Sequence, residues 1–189
     1  LGSAVPSLQV NSAFGEAQPN FTLRGIGVGN AYGGNYASPV GIYTDDNYPA
    51  ARTMHGMQLY DLERVEVLRG PQGTLYGRNT TGGAINFISV RPSLSGESGY
   101  VSLGYGRFNE FRAQGAIEGT LIDDVLGFRV SVNYVQSDGY MHNAEPNEPR
   151  LNSQDSLAGR LIVLAKPTDR LEFMLKVTGS KSKPTQTGV

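Results

Sequence analysis

The chain has 189 residues with 25 Gly, 10 Tyr, no Cys and no Trp, and carries a formal net charge of -1. That balance argues against a helical bundle, a disulfide scaffold and a generic nucleic-acid-binding domain, and the absence of cysteine removes thiol catalysis. No run approaches the roughly 18 apolar residues of a spanning helix, and no basic start followed by an apolar stretch marks a signal peptide, so contact with a membrane is expected through β-strands.

In chain order, FTLRGIGVGN (21–30) reads as a strand running into glycine-rich turns. Gly25, Gly27 and Gly29 echo part of a dinucleotide fingerprint, yet no βαβ unit follows and the spacing is wrong, so a strand-end turn is expected. VGIYTDD (40–46) is a second strand and turn. Asp45 and Asp46 have the composition of an acid/base or metal pair, but adjacent strand residues point to opposite faces, which favours a turn. His55 and His142 are the only histidines and fall in different segments, so each is expected in a solvated loop and no metal site is assigned.

The stretch DLERVEVLRGPQGTLYGRNTTGGAINFISVRP (61–92) mixes short β-prone runs, tight turns and dense charge. Leu62, Val65, Val67 and Leu68 supply apolar anchors among Glu63, Arg64, Glu66, Arg69 and Arg78. Such ions are seldom buried unless paired. Gly70, Gly73, Gly77, Gly82 and Gly83 permit positive φ or close approach, and Pro71 sets a turn. A small, tightly turned α+β module is expected, docking charged groups on another surface. Gly73 to Thr80 lacks the Gly-Lys-Ser/Thr end of a phosphate loop, having Arg78 and Asn79 there.

After Pro92 the apolar period becomes two. Val101, Leu103 and Tyr105 alternate with small or polar residues, and so do Phe111, Ala113, Ile117 and Leu121. Phe128, Val130, Val132 and Tyr134 repeat the pattern, as do Leu171, Phe173, Leu175 and Val177. Between Ser156 and Lys166, Leu157, Gly159, Leu161, Val163 and Ala165 share one side, with Arg160 opposite. About five strands are expected, each near the ~9–11 residues that cross a bilayer when tilted. Ile122–Asp124 and Pro167–Asp169 read as tight turns, and Ser137–Asp155 as a long polar loop. Val130, Val132, Tyr134, Phe173 and Leu175 are expected on the lipid face, and Arg129, Asn133, Glu172 and Lys176 on the other. Taken alone, the alternation also fits a soluble antiparallel sandwich.

LERVEVLRGPQGTLYGRNTTGGAINFISVRP resembles, nearly end to end, the signature of the plug domain of TonB-dependent outer-membrane receptors. FTLRGIGVGN and VGIYTDD resemble that family's arginine-glycine strand and the strand-turn after it. The resemblance covers roughly the first half of the chain and implies an α+β plug (1–92) followed by the first antiparallel strands of a transmembrane β-barrel (93–189). LGSAVPSLQV already resembles mid-plug sequence, so a fragment is expected, without the segment that TonB grasps.

What the resemblance implies is active uptake of a scarce solute through the Gram-negative outer membrane, with plug rearrangement driven by TonB, ExbB and ExbD and the proton gradient. It implies no enzymatic chemistry, no catalytic residue and no cofactor. The ligand is expected to be a ferric siderophore, alternatively a carbohydrate or cobalamin. A signal-transducing receptor of the same fold and a soluble carbohydrate-binding module are the competing classes. Outward plug loops 29–38 and 47–57 offer Tyr32, Asn35, Tyr36, Tyr48, Arg52 and His55 as ligand contacts. By motif match, Arg24 and Arg69 are the arginines that latch the plug to glutamates of the barrel wall, with partners expected beyond residue 189.

Overall fold

VGIYT and GAINFIS carry apolar residues on both faces of a strand, a pattern that forms only where neither face meets water. In the computed structural model, which describes residues 2, 5–11, 19–28, 37–49, 59–142, 150–183 and 185, these runs are strands β3 (Val40–Thr44) and β5 (Gly83–Ser89). All five residues of β3 and six of the seven in β5 are buried. The chain divides into two compact units, Leu1–Ser89 and Val90–Val189.

In the first unit, β1 (Leu8–Asn11) pairs antiparallel with β2 (Asn20–Leu23). β5 is the centre of a second sheet, parallel to β3 and antiparallel to β4 (Leu62–Arg69). Leu8, Phe21, Leu23, Val40, Ile42, Ile85 and Phe87 form one apolar cluster, joined from β4 by Leu62, Val65 and Val67. Phe21 and Phe87 meet at 6.0 Å between ring centroids. The charges of β4 lie on an exposed edge, where they discourage pairing with foreign strands. Arg64 satisfies itself along its own strand, 2.8 Å from Glu63 and 2.8 Å from Glu66.

Among the described residues, helix in this unit is a single turn, α1 (Gly73–Tyr76), closed by the Gly77 N–H on the Gly73 carbonyl at 3.1 Å. It buries no residue, and Leu75 is exposed. One glycine has a steric reason: at Gly83, φ is +145° and a Cβ would lie 2.4 Å from the Leu68 carbonyl oxygen, so only glycine lets β5 start beside β4.

The second unit is a five-stranded antiparallel sheet in the order β10-β9-β8-β7-β6: β6 (Ser98–Gly106), β7 (Glu110–Ile122), β8 (Leu126–Ser137), β9 (Gln154–Thr168) and β10 (Leu171–Ser182). The expected number of strands is present, and they run long. Both tight turns fall slightly later than the sequence suggested. Ile122 still pairs with Leu126, leaving Asp123–Val125 as the first turn. Pro167 stays inside the end of β9, where a strand can spare a donor, so the second turn is Asp169–Arg170. At the other end lie a 3-10 turn at Arg107–Asn109 and the long 138–153 connection.

Register assigns the faces. Val130 lies beside Ile117 and Leu161, Tyr134 beside Ala113 and Leu157, and Leu175 beside Val163. Val130, Val132, Tyr134, Phe173 and Leu175 therefore share one face, and Arg129, Asn133, Glu172 and Lys176 share the other. The apolar face is open: Val101 is 79% exposed, Ile117 61% and Leu175 62%. The polar face holds the buried side chains Arg129, Ser131 and Arg160. A soluble sandwich places its apolar face inside; this sheet shows the reverse.

Candidate functional site

Two hairpin tips and a tyrosine cluster organise the motif-bearing half. Leu23 and Ile26 exchange backbone hydrogen bonds, both at 2.9 Å, around Arg24 (φ 52°) and Gly25 (φ 78°). Thr44 and Asn47 exchange theirs at 2.9 and 3.0 Å around Asp45 (φ 48°) and Asp46 (φ 62°). Positive φ at both central residues is the type I′ geometry that suits a twisted two-residue hairpin, and Asp tolerates it. Arg24 and Gly25 thus form the strand-end turn expected from the sequence, while Gly29 lies outside the described residues.

The Asp45–Asp46 pair is a turn tied to the central strand. Ser89 donates its N–H and hydroxyl to Asp45, while Asn86 Nδ2 donates to Asp46 Oδ1 at 2.7 Å and the Asp46 N–H returns to Asn86 Oδ1 at 3.3 Å. These carboxylates serve as acceptors for protein groups. Among the described residues no group of three or more His, Cys, Asp or Glu is placed to hold a metal ion.

Tyr43 is buried and donates its hydroxyl to the Tyr76 carbonyl at 2.6 Å, with ring centroids 4.7 Å from Tyr76 and 5.5 Å from Tyr48. Asn79 Nδ2 donates to the Tyr48 hydroxyl at 3.2 Å. The clasp fastens the LYGRN segment to β3. Burial, and then the neighbouring Tyr48 and Tyr76, push the Tyr43 phenol above its ordinary pKa. Burial followed by the Asp46 and Glu66 carboxylates raises Tyr76, against a lowering hydrogen bond from Asn86. Both remain neutral phenols at physiological pH.

Of the sequence-derived ligand contacts, Tyr48 is half-buried in this clasp. Tyr32, Asn35, Tyr36, Arg52 and His55 lie outside the described residues. Arg24 is exposed at its hairpin tip, and Arg69 is exposed at the end of β4. Among the described residues neither makes an ion pair with a side chain. His142 is an exposed residue of the long 138–153 connection.

In the sheet, Arg129 Nη1 meets Glu118 Oε2 at 2.9 Å with both side chains largely buried, and the Ser98 hydroxyl donates to Glu118 Oε1 at 2.6 Å. Sequence reading missed this pair, which depends on register between strands, and the tyrosine clasp, which depends on where α1 and the turn after it fold back onto β3. At the long-loop end, Tyr134, Gln136, Asp138, Arg150 and Asp155 line a cavity of about 520 Å³.

Residues 1–84 match the family described as TonB-dependent Receptor Plug Domain. The pesticin receptor of Yersinia pestis is 28% identical over 170 residues, which are 90% of this chain and 24% of that receptor. The ferripyoverdine receptor of Pseudomonas aeruginosa is 34% identical over 112 residues, covering 59% of this chain and 13% of the receptor. Among solved structures, the ferric yersiniabactin uptake receptor of Yersinia pestis shares the fold with a TM-score of 0.85 at 27% identity, over 96% of this chain and 28% of that one. The chain spans about a quarter of the length of such relatives. All three are receptors by name, not enzymes. The first 84 residues are thus a TonB-dependent receptor plug domain, in a chain whose similarity to such receptors continues through its five-stranded sheet.

Proposed function

We propose that this chain is the plug (1–92) and the first wall strands (93–189) of a receptor that takes up a ferric siderophore across the Gram-negative outer membrane. TonB, with ExbB and ExbD, supplies the work that rearranges the plug. The observation that carries this reading is the similarity to the ferric yersiniabactin uptake receptor, which runs through 96% of the chain. The ferripyoverdine receptor supports the same substrate class over a carbohydrate or cobalamin.

The open apolar face is the physical counterpart of that reading. From Phe173 to Lys181 the strand advances by eight residue steps, about 27 Å along a strand and about 21 Å of depth at a ~40° tilt, close to the ~25 Å apolar band of outer-membrane barrels. Lys181 pairs with Leu157 and so lies on this face, at its upper edge. Tyr105, Phe111 and Tyr134 occur at the same end, where interfacial aromatic rings are favoured. The long connection at that end faces outside, and the tight turns face the periplasm.

Radiolabelled ferric siderophore uptake into iron-starved cells carrying or lacking the full-length receptor tests the proposal. Uptake that depends on the receptor, on TonB and on the proton gradient supports it. Uptake that persists after the gradient is collapsed refutes the energised mechanism, and binding without uptake favours a signal transducer.

A further inference from the structure

Between the two units the chain changes allegiance within two residues. Ser89 is bonded to the Asp45 carboxylate of the first unit, whereas Arg91 pairs with Glu172 on β10 of the second. From there Val90–Glu97 crosses the polar face of the sheet toward β6, held at Arg91, Ser93, Leu94 and Gly96. The Ser93 main chain hydrogen-bonds Glu118 on β7, the same carboxylate that holds Arg129 and Ser98. The Ser93 hydroxyl folds back on Ser95, donating to its carbonyl at 2.7 Å and accepting from its N–H at 3.1 Å. The Leu94 carbonyl accepts from the Asp124 N–H at 2.9 Å, and the Gly96 carbonyl accepts from the Thr120 hydroxyl at 3.0 Å.

Gly127 gives the crossing its steric signature. A Cβ there would lie 2.2 Å from the Ser93 carbonyl oxygen, so any side chain in the middle of this ladder would lift the crossing segment off the sheet. Glycine inside a strand costs conformational entropy, and a close backbone approach is the compensation. We propose that Val90–Glu97 is a fixed strap, seated by Glu118 and Gly127 as positioning residues, and that it stays on the sheet when the plug is pulled. Rearrangement therefore ends at Ser89, where the plug's own bonds end. The mechanical part of this inference rests on the proposed TonB-driven uptake; the seating does not.

Two experiments on the full-length receptor, without other cysteines, separate the parts. Native-state amide exchange in bilayer nanodiscs needs no transport: the Ser93 and Asp124 amides should exchange with those of β7 and β8, not with those of β5. Gly127→Val, and independently Glu118→Gln, should speed exchange at Asp124 by at least about tenfold while the β9–β10 ladder is unchanged. Strap amides that exchange with the plug, or that ignore both substitutions, overturn the seating. In the second experiment Arg91→Cys and Glu172→Cys are joined by a short bis-maleimide. Siderophore uptake within about twofold of the unjoined variant is the expected result. Loss of uptake with ligand binding retained overturns the fixed strap. Absence of uptake in the unsubstituted receptor overturns the proposed function and with it the mechanical claim, leaving the seating to the exchange data.

Discussion

Ser89 gives both its backbone N–H and its hydroxyl to the carboxylate of Asp45, at 2.7 and 2.9 Å, across 44 residues of sequence. The carboxylate thereby closes the corner between the β3 turn and the last residue of the central strand. Hydrogen bonds to a charged group contribute more than neutral ones, so Asp45→Ala should cost roughly 2–3 kcal/mol. Asp45→Asn keeps an acceptor and tolerates the left-handed φ, and should cost about half as much. Exchange at the Ser89 amide and thermal unfolding of the plug measure both. Equal losses for the two variants would show that the carboxylate does not hold the corner.

Tyr43 and Tyr76 set an alkaline limit on the plug. Both phenols have folded pKa values raised above the ordinary tyrosine value, first by burial. A raised folded pKa means that the neutral form is favoured by folding; the contribution is complete below the unfolded pKa near 10 and is lost as pH rises through the folded value. The plug should therefore weaken above about pH 10, while its own two phenols ionise later than exposed tyrosines. Phenolate absorbance followed against plug unfolding reports this, and Tyr43→Phe should flatten the alkaline limb. An unaltered limb in that variant would remove Tyr43 from the cause.

How much of this was legible beforehand depended on the range of each interaction. Period-two alternation placed Val130 and Leu175 on one face correctly, because strand geometry alone decides it. GAINFIS was legible only as one of the β-prone runs of 61–92, and nothing local says that β3 joins it in parallel and β4 antiparallel. Asp45 was readable as a turn residue, whereas its partner Ser89 was not. Gly127 offered a signal that went unused: a glycine in an otherwise well-filled strand asks what backbone comes close. Glu118 and Arg129 each read as polar-face residues, and only the β7–β8 register joins them.

The apolar face of the sheet predicts a depth-dependent tolerance of charge. Val130 lies midway between Leu126 and Tyr134 on β8 and should sit near the bilayer centre. Lysine there should destabilise the full-length receptor in lipid by about 2–4 kcal/mol, whereas Lys181→Val at the rim should change stability by less than about 1 kcal/mol. Denaturant titration of the receptor folded into vesicles measures both. Similar costs at the two positions would mean that the face does not contact lipid.

The last prediction concerns the two family-matched arginines. Arg24 occupies an exposed hairpin tip with φ 52°, and Arg69 ends the edge strand β4 opposite Gly83. Neither has an ion-pair partner among the described residues, as expected if their carboxylates belong to wall strands elsewhere in the receptor. Breaking one side of a buried pair costs ~3–5 kcal/mol, and less where water enters the gap. A hydrated ionic latch suits a plug that must be released repeatedly, since extensive apolar contact at ~25 cal/mol per Å² would hold it too firmly. Arg24→Ala with Arg69→Ala should loosen the plug and raise the leak of bulky antibiotics, while siderophore affinity changes far less. Because Arg24 sits in a left-handed turn, Arg24→Asn with Arg69→Ala is the control that removes both charges and keeps the hairpin. Antibiotic susceptibility and siderophore binding on the same cells decide the matter: loss of binding with an unaltered leak would assign both arginines to the ligand site and end the latch reading.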